Sequence, residues 1–136
     1  LDDLYRKLGV RNVLLIGNDP WIRETLSFFF QIRGCRFVSA TSGRESIAAL
    51  SSGRFDLILC EDLLPDGDSV SLLNLHEDRQ PGAIRLLIAQ SPYQPEIEEA
   101  VRSGFQGVIP KPFQIEALED ALKRIPARGR EQASVE

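Results

Sequence analysis

The chain has 136 residues, 43% hydrophobic and 26% charged, with a formal net charge of -4. That is enough for one domain with a real core, and the charge forms no basic stripe of the kind that grips nucleic acid. Two cysteines and a single histidine exclude a Cys/His zinc cluster or a disulfide scaffold, and there is neither a bilayer-length apolar run nor a signal-peptide pattern.

In chain order, residues 1–9 place Leu1, Leu4, Tyr5 and Leu8 at helical spacing, with Gly9 as a C-cap. This is a short helical extension that packs on the domain or a partner; the plainer alternative is a frayed end. The chain opens on leucine and not methionine, as a piece of something longer would. Residues 10–125 form the main domain. A first strand runs from Val10 to Ile16, and Asp19-Pro20 caps and opens a helix reaching about Ile32, with Ile22, Leu26, Phe29 and Phe30 inward and Gly34 ending it. A second strand spans Cys35 to Ala40, and a helix from about Arg44 carries Ile47, Ala48 and Leu50 inward. The near-continuous apolar run Phe55 to Cys60 reads as a central parallel strand buried on both faces. It delivers Glu61 and Asp62 to its carboxyl end.

Pro65 to Asp68 reads as a loop in which Asp66 and Asp68 are solvated turn residues. A helix follows from about Ser69 to Glu77, with His76 on its surface, then a strand from Ile84 to Ala89. The helix from about Pro95 to Ser103 turns Ile97, Ala100 and Val101 inward, and the fifth strand is Gly107 to Pro110. The last helix, about Gln114 to Arg124, buries Ile115, Leu118, Ala121, Leu122 and Ile125; residues 126–136 are a polar tail or linker. Trp21 and Tyr93 read as aromatics at the edge of the core.

Five strands alternating with five helices make a doubly wound α/β sandwich with a parallel sheet. Spacing alone does not choose between the common strand orders. No glycine-rich phosphate loop follows the first strand, so nucleotide binding is a weak reading, and no nucleophile–base pair supports an enzyme.

Three stretches fit one pattern: Val13 to Pro20, a strand and the loop after it; Phe55 to Pro65, with the proline four residues beyond Glu61; and Gly104 to Phe113, ending Lys111-Pro112-Phe113. Over roughly residues 11–125 the chain resembles the receiver domain of bacterial two-component response regulators. The resemblance implies a CheY-like, flavodoxin-like three-layer sandwich with strand order 2-1-3-4-5. In that family two acidic residues after the first strand and an aspartate after the third hold magnesium, and that aspartate takes a phosphoryl group from a histidine kinase. A hydroxyl residue ends the fourth strand, an aromatic residue in the fifth changes rotamer, and a lysine before proline pairs with the phosphoryl oxygens.

Carried over residue by residue, the pattern is eroded at the chemistry. Gly17 and Asn18 stand where the acidic pair is expected, with Asp19 next to them; Glu61 stands at the phosphoacceptor position; Ala89 stands at the hydroxyl position, with Ser91 two residues on; and Val108 stands at the switch aromatic. Lys111 and Pro112 match. Magnesium wants several anionic oxygens in near-octahedral array, and Asp19 and Glu61 are weak candidates to supply them. Asp19 reads better as a helix cap, and Lys111 as the charge that neutralises Glu61. The expected function is an atypical receiver of a bacterial regulator in the cytoplasm, independent of phosphorylation, without cofactor or catalysis, acting through protein contacts. The alternative is an active phosphoacceptor using magnesium at Glu61, or at Asp62 after a one-residue slip of the strand. Expected partners are a histidine kinase or a fused output domain in transcription regulation, with no direct contact to nucleic acid or membrane. A homodimer through the last two helices would use Glu98, Arg102, Glu116, Asp120 and Arg124.

Overall fold

The computed structural model describes residues 3–68, 80–90 and 94–126. The helix expected at 69–77, His76, Ser91, Tyr93 and the tail after Pro126 lie outside the described residues. The described helices are α1 (Asp3–Leu8), α2 (Pro20–Ile32), α3 (Gly43–Ser52), α4 (Gln94–Arg102) and α5 (Ile115–Lys123), and the strands of the main sheet are β1 (Asn12–Ile16), β2 (Arg36–Ala40), β3 (Leu57–Glu61), β6 (Ile84–Ala89) and β7 (Gly107–Pro110). Two short strands, β4 (Leu63–Leu64) and β5 (Gly67–Asp68), form an antiparallel hairpin just beyond β3. The main sheet runs β2-β1-β3-β6-β7 with all pairings parallel, which is the order the family resemblance implied. The chain therefore winds outward in both directions from β1 and β3, and the crevice at their carboxyl ends is the usual place for a site in such a sheet.

Alternation along the central strands divides the core into two layers. Val13, Leu15, Leu57, Leu59, Leu86 and Ile88 pack with α1, α2 and α5 on one face. Leu14, Ile16, Ile58, Cys60 and Leu87 pack with α3 and α4 on the other. Burial on both faces explains why β3 reads as an unbroken apolar run. Two inward assignments change. On α3 Leu50 is buried as expected, together with Gly43 and Ser46, whose hydroxyl donates to the Gly43 carbonyl at 2.6 Å, while Ala48 is exposed. On α4 Ala100 is buried while Val101 is 55% exposed, because that short helix turns only a narrow stripe to the sheet.

The leading segment is part of the fold. Tyr5 and Leu8 are buried, and the Tyr5 ring meets Phe29 and Phe30 edge to face, each at 5.7 Å between centroids. Its hydroxyl donates to Glu119 on α5 at 3.1 Å. Burial, followed by the neighbouring Glu119 charge and hydrogen bond, pushes the phenol well above its ordinary pKa. Gly9, at φ 71, turns the chain from α1 toward β1. Glu119 is thus the tether of α1.

Asp66 is exposed in the turn, as its sequence reads, and it also makes a tether. Its two carboxylate oxygens accept the backbone N–H groups of Gly43 at 2.8 Å and Arg44 at 3.0 Å, so it ties the hairpin after β3 to the open end of α3. Those bonds, Gly43 first, hold the carboxyl below its usual range.

Replacing Tyr5 by alanine is expected to cost about 3–5 kcal/mol in urea unfolding, and by phenylalanine about 1 kcal/mol. An alanine variant within ~0.5 kcal/mol of the parent would mean that α1 is not part of the folded unit. Because the Asp66 pKa is depressed by folding, its contribution is complete above the unfolded value and is lost as pH falls through the folded one. The amide resonances of Gly43 and Arg44 should accordingly titrate with a midpoint below the ordinary aspartate value of about 3.9; a midpoint at or above it would contradict the tether.

Candidate functional site

Parallel pairing brings four chain positions to one edge of the sheet: Gly17 just after β1, Glu61 at the end of β3, Ala89 at the end of β6 and Lys111 just after β7. The register Glu61↔Ile88 and Ala89↔Pro110 fixes their heights relative to one another. Glu61 is the charged residue among these four that is buried, only 3% exposed. Its Oε1 accepts from the Lys111 ammonium at 2.8 Å, and its Oε2 accepts the Asp19 backbone N–H at 3.1 Å. Both carboxylate oxygens therefore have donors, as a buried charge requires.

The side chain of Glu61 reaches those donors by lying over Gly17. A Cβ on Gly17 would stand 1.9 Å from Glu61 Oε2 and 2.6 Å from its Cγ and Cδ. Gly17 is not one of the left-handed glycines, so the requirement for glycine here is one of space and not of backbone conformation. The longer acid at 61 and the missing side chain at 17 are two halves of one packing arrangement.

Lys111 is shared. Its side chain is 22% exposed, and the ammonium also lies 3.8 Å from Asp62 Oδ1. Asp62 follows the strand, and its carboxylate accepts the N–H groups of Leu63 at 3.0 Å and Gln90 at 3.2 Å. It reaches Lys111 from the loop, with no slip in the pairing of β3. Two carboxylates thus flank one ammonium.

Asp19 is the N-cap of α2: Oδ1 accepts from Trp21 N at 2.8 Å and Ile22 N at 3.3 Å, and Pro20 opens the first turn. Asn18 is exposed and Gly17 is buried. Among the described residues no group of three or more His, Cys, Asp or Glu side chains is placed to hold a metal ion. Ala89 is buried, and its carbonyl accepts the Lys111 N–H at 2.9 Å. Val108 is half-buried against the core layer on the α3 and α4 side. The peptide bond between Lys111 and Pro112 is cis.

Trp21 does not edge the core; it is 69% exposed. Glu98, Arg102, Glu116, Asp120 and Arg124 are all exposed on α4 and around α5, and Arg102 pairs with Glu99 in its own helix at 3.0 Å. Sequence reasoning missed the fit of Glu61 over Gly17. The resemblance puts Gly17 and Glu61 at the same end of the sheet, but only three-dimensional proximity joins them.

Residues 13–123 match the family model described as the response regulator receiver domain. Among curated proteins, the chain is 33% identical over 115 residues to the transcriptional activator protein PfeR of Pseudomonas aeruginosa, covering 82% of this chain and 37% of that protein. It is 31% identical over 112 residues to the response regulator protein FleR of the same species, covering 82% of this chain and 24% of that one. The chain thus spans well under half the length of these relatives. Among solved structures, the chemotaxis response regulator CheY4 of Vibrio cholerae superposes with a TM-score of 0.77 at 24% identity, covering 85% of this chain and 98% of that one. A response regulator from Burkholderia pseudomallei, solved with a phosphorylated aspartic acid, calcium and citrate, gives 0.78 at 22% identity, covering 91% of this chain and 72% of that one. At these identities the structural likeness concerns the fold, and the sequence match carries the membership. With the sheet in the order described and the family model matched across both core layers, the chain belongs to the response regulator receiver domain family.

Proposed function

We propose that this receiver domain works without taking a phosphoryl group: its own glutamate fills the cleft, and the domain acts as a binding module, not an enzyme. One observation carries the reading. Glu61 lies in the volume that any side chain at Gly17 would occupy, with both oxygens turned to internal donors.

The chemistry of phosphoryl transfer supports this. Transfer relies on in-line positioning and on neutralising charge at the transferring oxygens. Glutamate sets its carboxylate about 1.5 Å farther from the backbone than aspartate, and a misplacement near 1 Å can itself cost roughly 10²-fold. Magnesium, the ion the family resemblance implies, does not fit the residues present. Gly17 offers no ligand, one oxygen of Asp19 caps α2, and Lys111 places an ammonium 2.8 Å from the Glu61 oxygen that a dication would need. Ala89 has no hydroxyl to grip a phosphoryl oxygen, and Val108 is no aromatic switch. The Lys111–Glu61 pair holds the cleft in one arrangement. Signalling then rests on contacts with a kinase, a fused output domain or another regulator, for which the exposed mixed charges Glu98, Arg102, Glu116, Asp120 and Arg124 offer specificity more than affinity. A second reading, phosphoryl acceptance at Asp62, draws on its 27% exposed side chain beside Lys111.

Incubation with a small acyl-phosphate donor and magnesium, followed by intact mass and amide chemical shifts, tests the proposal. The expected result is no stoichiometric adduct and no widespread shift change. A full adduct mapped to Glu61 or Asp62 would establish the active reading instead. The packing of the cleft gives a second test. Gly17→Ala should destabilise the chain by about 1–3 kcal/mol, and by no more than about 0.5 kcal/mol in a Glu61→Ala background. Equal costs in the two backgrounds would mean that Glu61 does not occupy the space over Gly17.

A further inference from the structure

Three of the large apolar side chains left exposed among the described residues lie on one helix: Trp21 at 69%, Phe28 at 70% and Ile32 at 63%, all on α2. With half-buried Thr25 they recur at i, i+4, i+7 and i+11, a spacing that keeps them in one line about 16 Å long on the solvent side. The line is separate from the core-facing stripe Ile22, Leu26 and Phe30, so α2 has two apolar faces and the domain covers only one. A groove lined by Phe28, Gln31, Phe37 and Ser39 runs beside it, between α2 and the edge strand β2. The three exposed side chains present about 400 Å² of apolar surface, a patch of the size that marks a contact site on a monomer.

We infer that this face pairs with the same face of a second copy of the chain, the two α2 helices lying antiparallel about a two-fold axis. The sequence of the stripe matches itself in that direction. Antiparallel pairing about the helix centre sets Trp21 against the partner's Ile32 and the small Thr25 against the partner's large Phe28, each contact occurring twice, as an isologous interface requires. On the flank, Glu24 meets the partner's Gln31, an acceptor against an amide donor, and Gln31 has an exposed side chain that bonds only within its own helix, to Ser27 at 3.1 Å. Like charges are not brought together along the line. A parallel pairing would instead stack Phe28 on Phe28 and Trp21 on Trp21 and leave Thr25 facing Thr25, a bulge beside a gap. Two such faces with their fringe bury about 1,000 Å², at the small end of specific interfaces, so the dimer should be weak, with a dissociation constant above about 1 µM. The surface is distinct from the α4 and α5 face and from the cleft, and it does not depend on how Glu61 is read.

Sedimentation equilibrium of the chain over a wide concentration range tests the pairing. The expected result is a reversible monomer–dimer equilibrium. Phe28→Glu should weaken it at least about 30-fold, as loss of a central aromatic anchor does, with an unchanged far-ultraviolet spectrum because the residue is exposed. Thr25→Lys should weaken it likewise. An equimolar mixture of the two variants should recover association, since antiparallel packing sets each introduced acid against an introduced base. A chain that stays monomeric at every concentration would overturn the inference. So would a dimer that Phe28→Glu leaves intact, which would place the contact elsewhere, or variants that fail to restore one another. Binding of a different protein on this face by a chain that does not self-associate would overturn it too.

Discussion

A buried glutamate held between an ammonium and a backbone N–H is the interaction on which the carboxyl end of this sheet depends. Glu61 is nearly fully enclosed, and a carboxylate in that position must keep donors on both oxygens or lose several kcal/mol. Lys111 and Asp19 N–H supply them. The glycine at 17 is what lets the longer side chain lie flat enough to reach both. Local chain geometry follows from the same contact. The loop after β1 is drawn to the end of β3 through the Asp19 amide, and the turn after β7 is drawn there through Lys111. Such a pair adds little net stability over an apolar filling, but breaking one half of it is costly. It joins the loop after β1 and the turn after β7 to the end of β3.

The frame around that contact is stiff. β3 is buried on both faces and paired in register with β1 and β6, so Glu61 has little freedom to shift along the sheet. The hairpin beyond it is tethered by Asp66 to the amino end of α3. On the opposite side α1 closes over Phe29 and Phe30 and reaches α5 through Tyr5 and Glu119. One flank of α5 is thereby covered from within the chain. Among the described residues, the outer charges of α4 and α5 and the apolar line of α2 remain exposed.

Much of this was legible in the sequence, and for identifiable reasons. Apolar runs bounded by glycine and proline located the five parallel strands, because burial on both faces leaves an unambiguous pattern. The Asp19-Pro20 start of α2 was readable from cap chemistry alone. Strand order was not; it came from the family resemblance and agrees with the pairing observed. The exposed line on α2 went unnoticed because Trp21, Phe28 and Ile32 interleave with the inward Ile22, Leu26 and Phe30, and a helix apolar on two faces looks in sequence like a broad one-sided stripe. Val101 reads as inward beside Ala100, but α4 turns only a narrow stripe to the sheet. Asp66 reads correctly as an exposed turn residue, but its tether is not legible because Gly43 and Arg44 are distant in sequence. Glu61 over Gly17 was hidden similarly: the two are 44 positions apart in the chain, and only their contact shows that one lies over the other.

The most direct test of the filled cleft is a crystal structure of the chain grown in a large excess of magnesium. The expected density shows Glu61 Oε1 on the Lys111 ammonium near 2.8 Å, with Oε2 over Gly17 and no ion between the ends of β1 and β3. A well-ordered octahedral ion ligated by Glu61, with Lys111 turned away, would contradict the account.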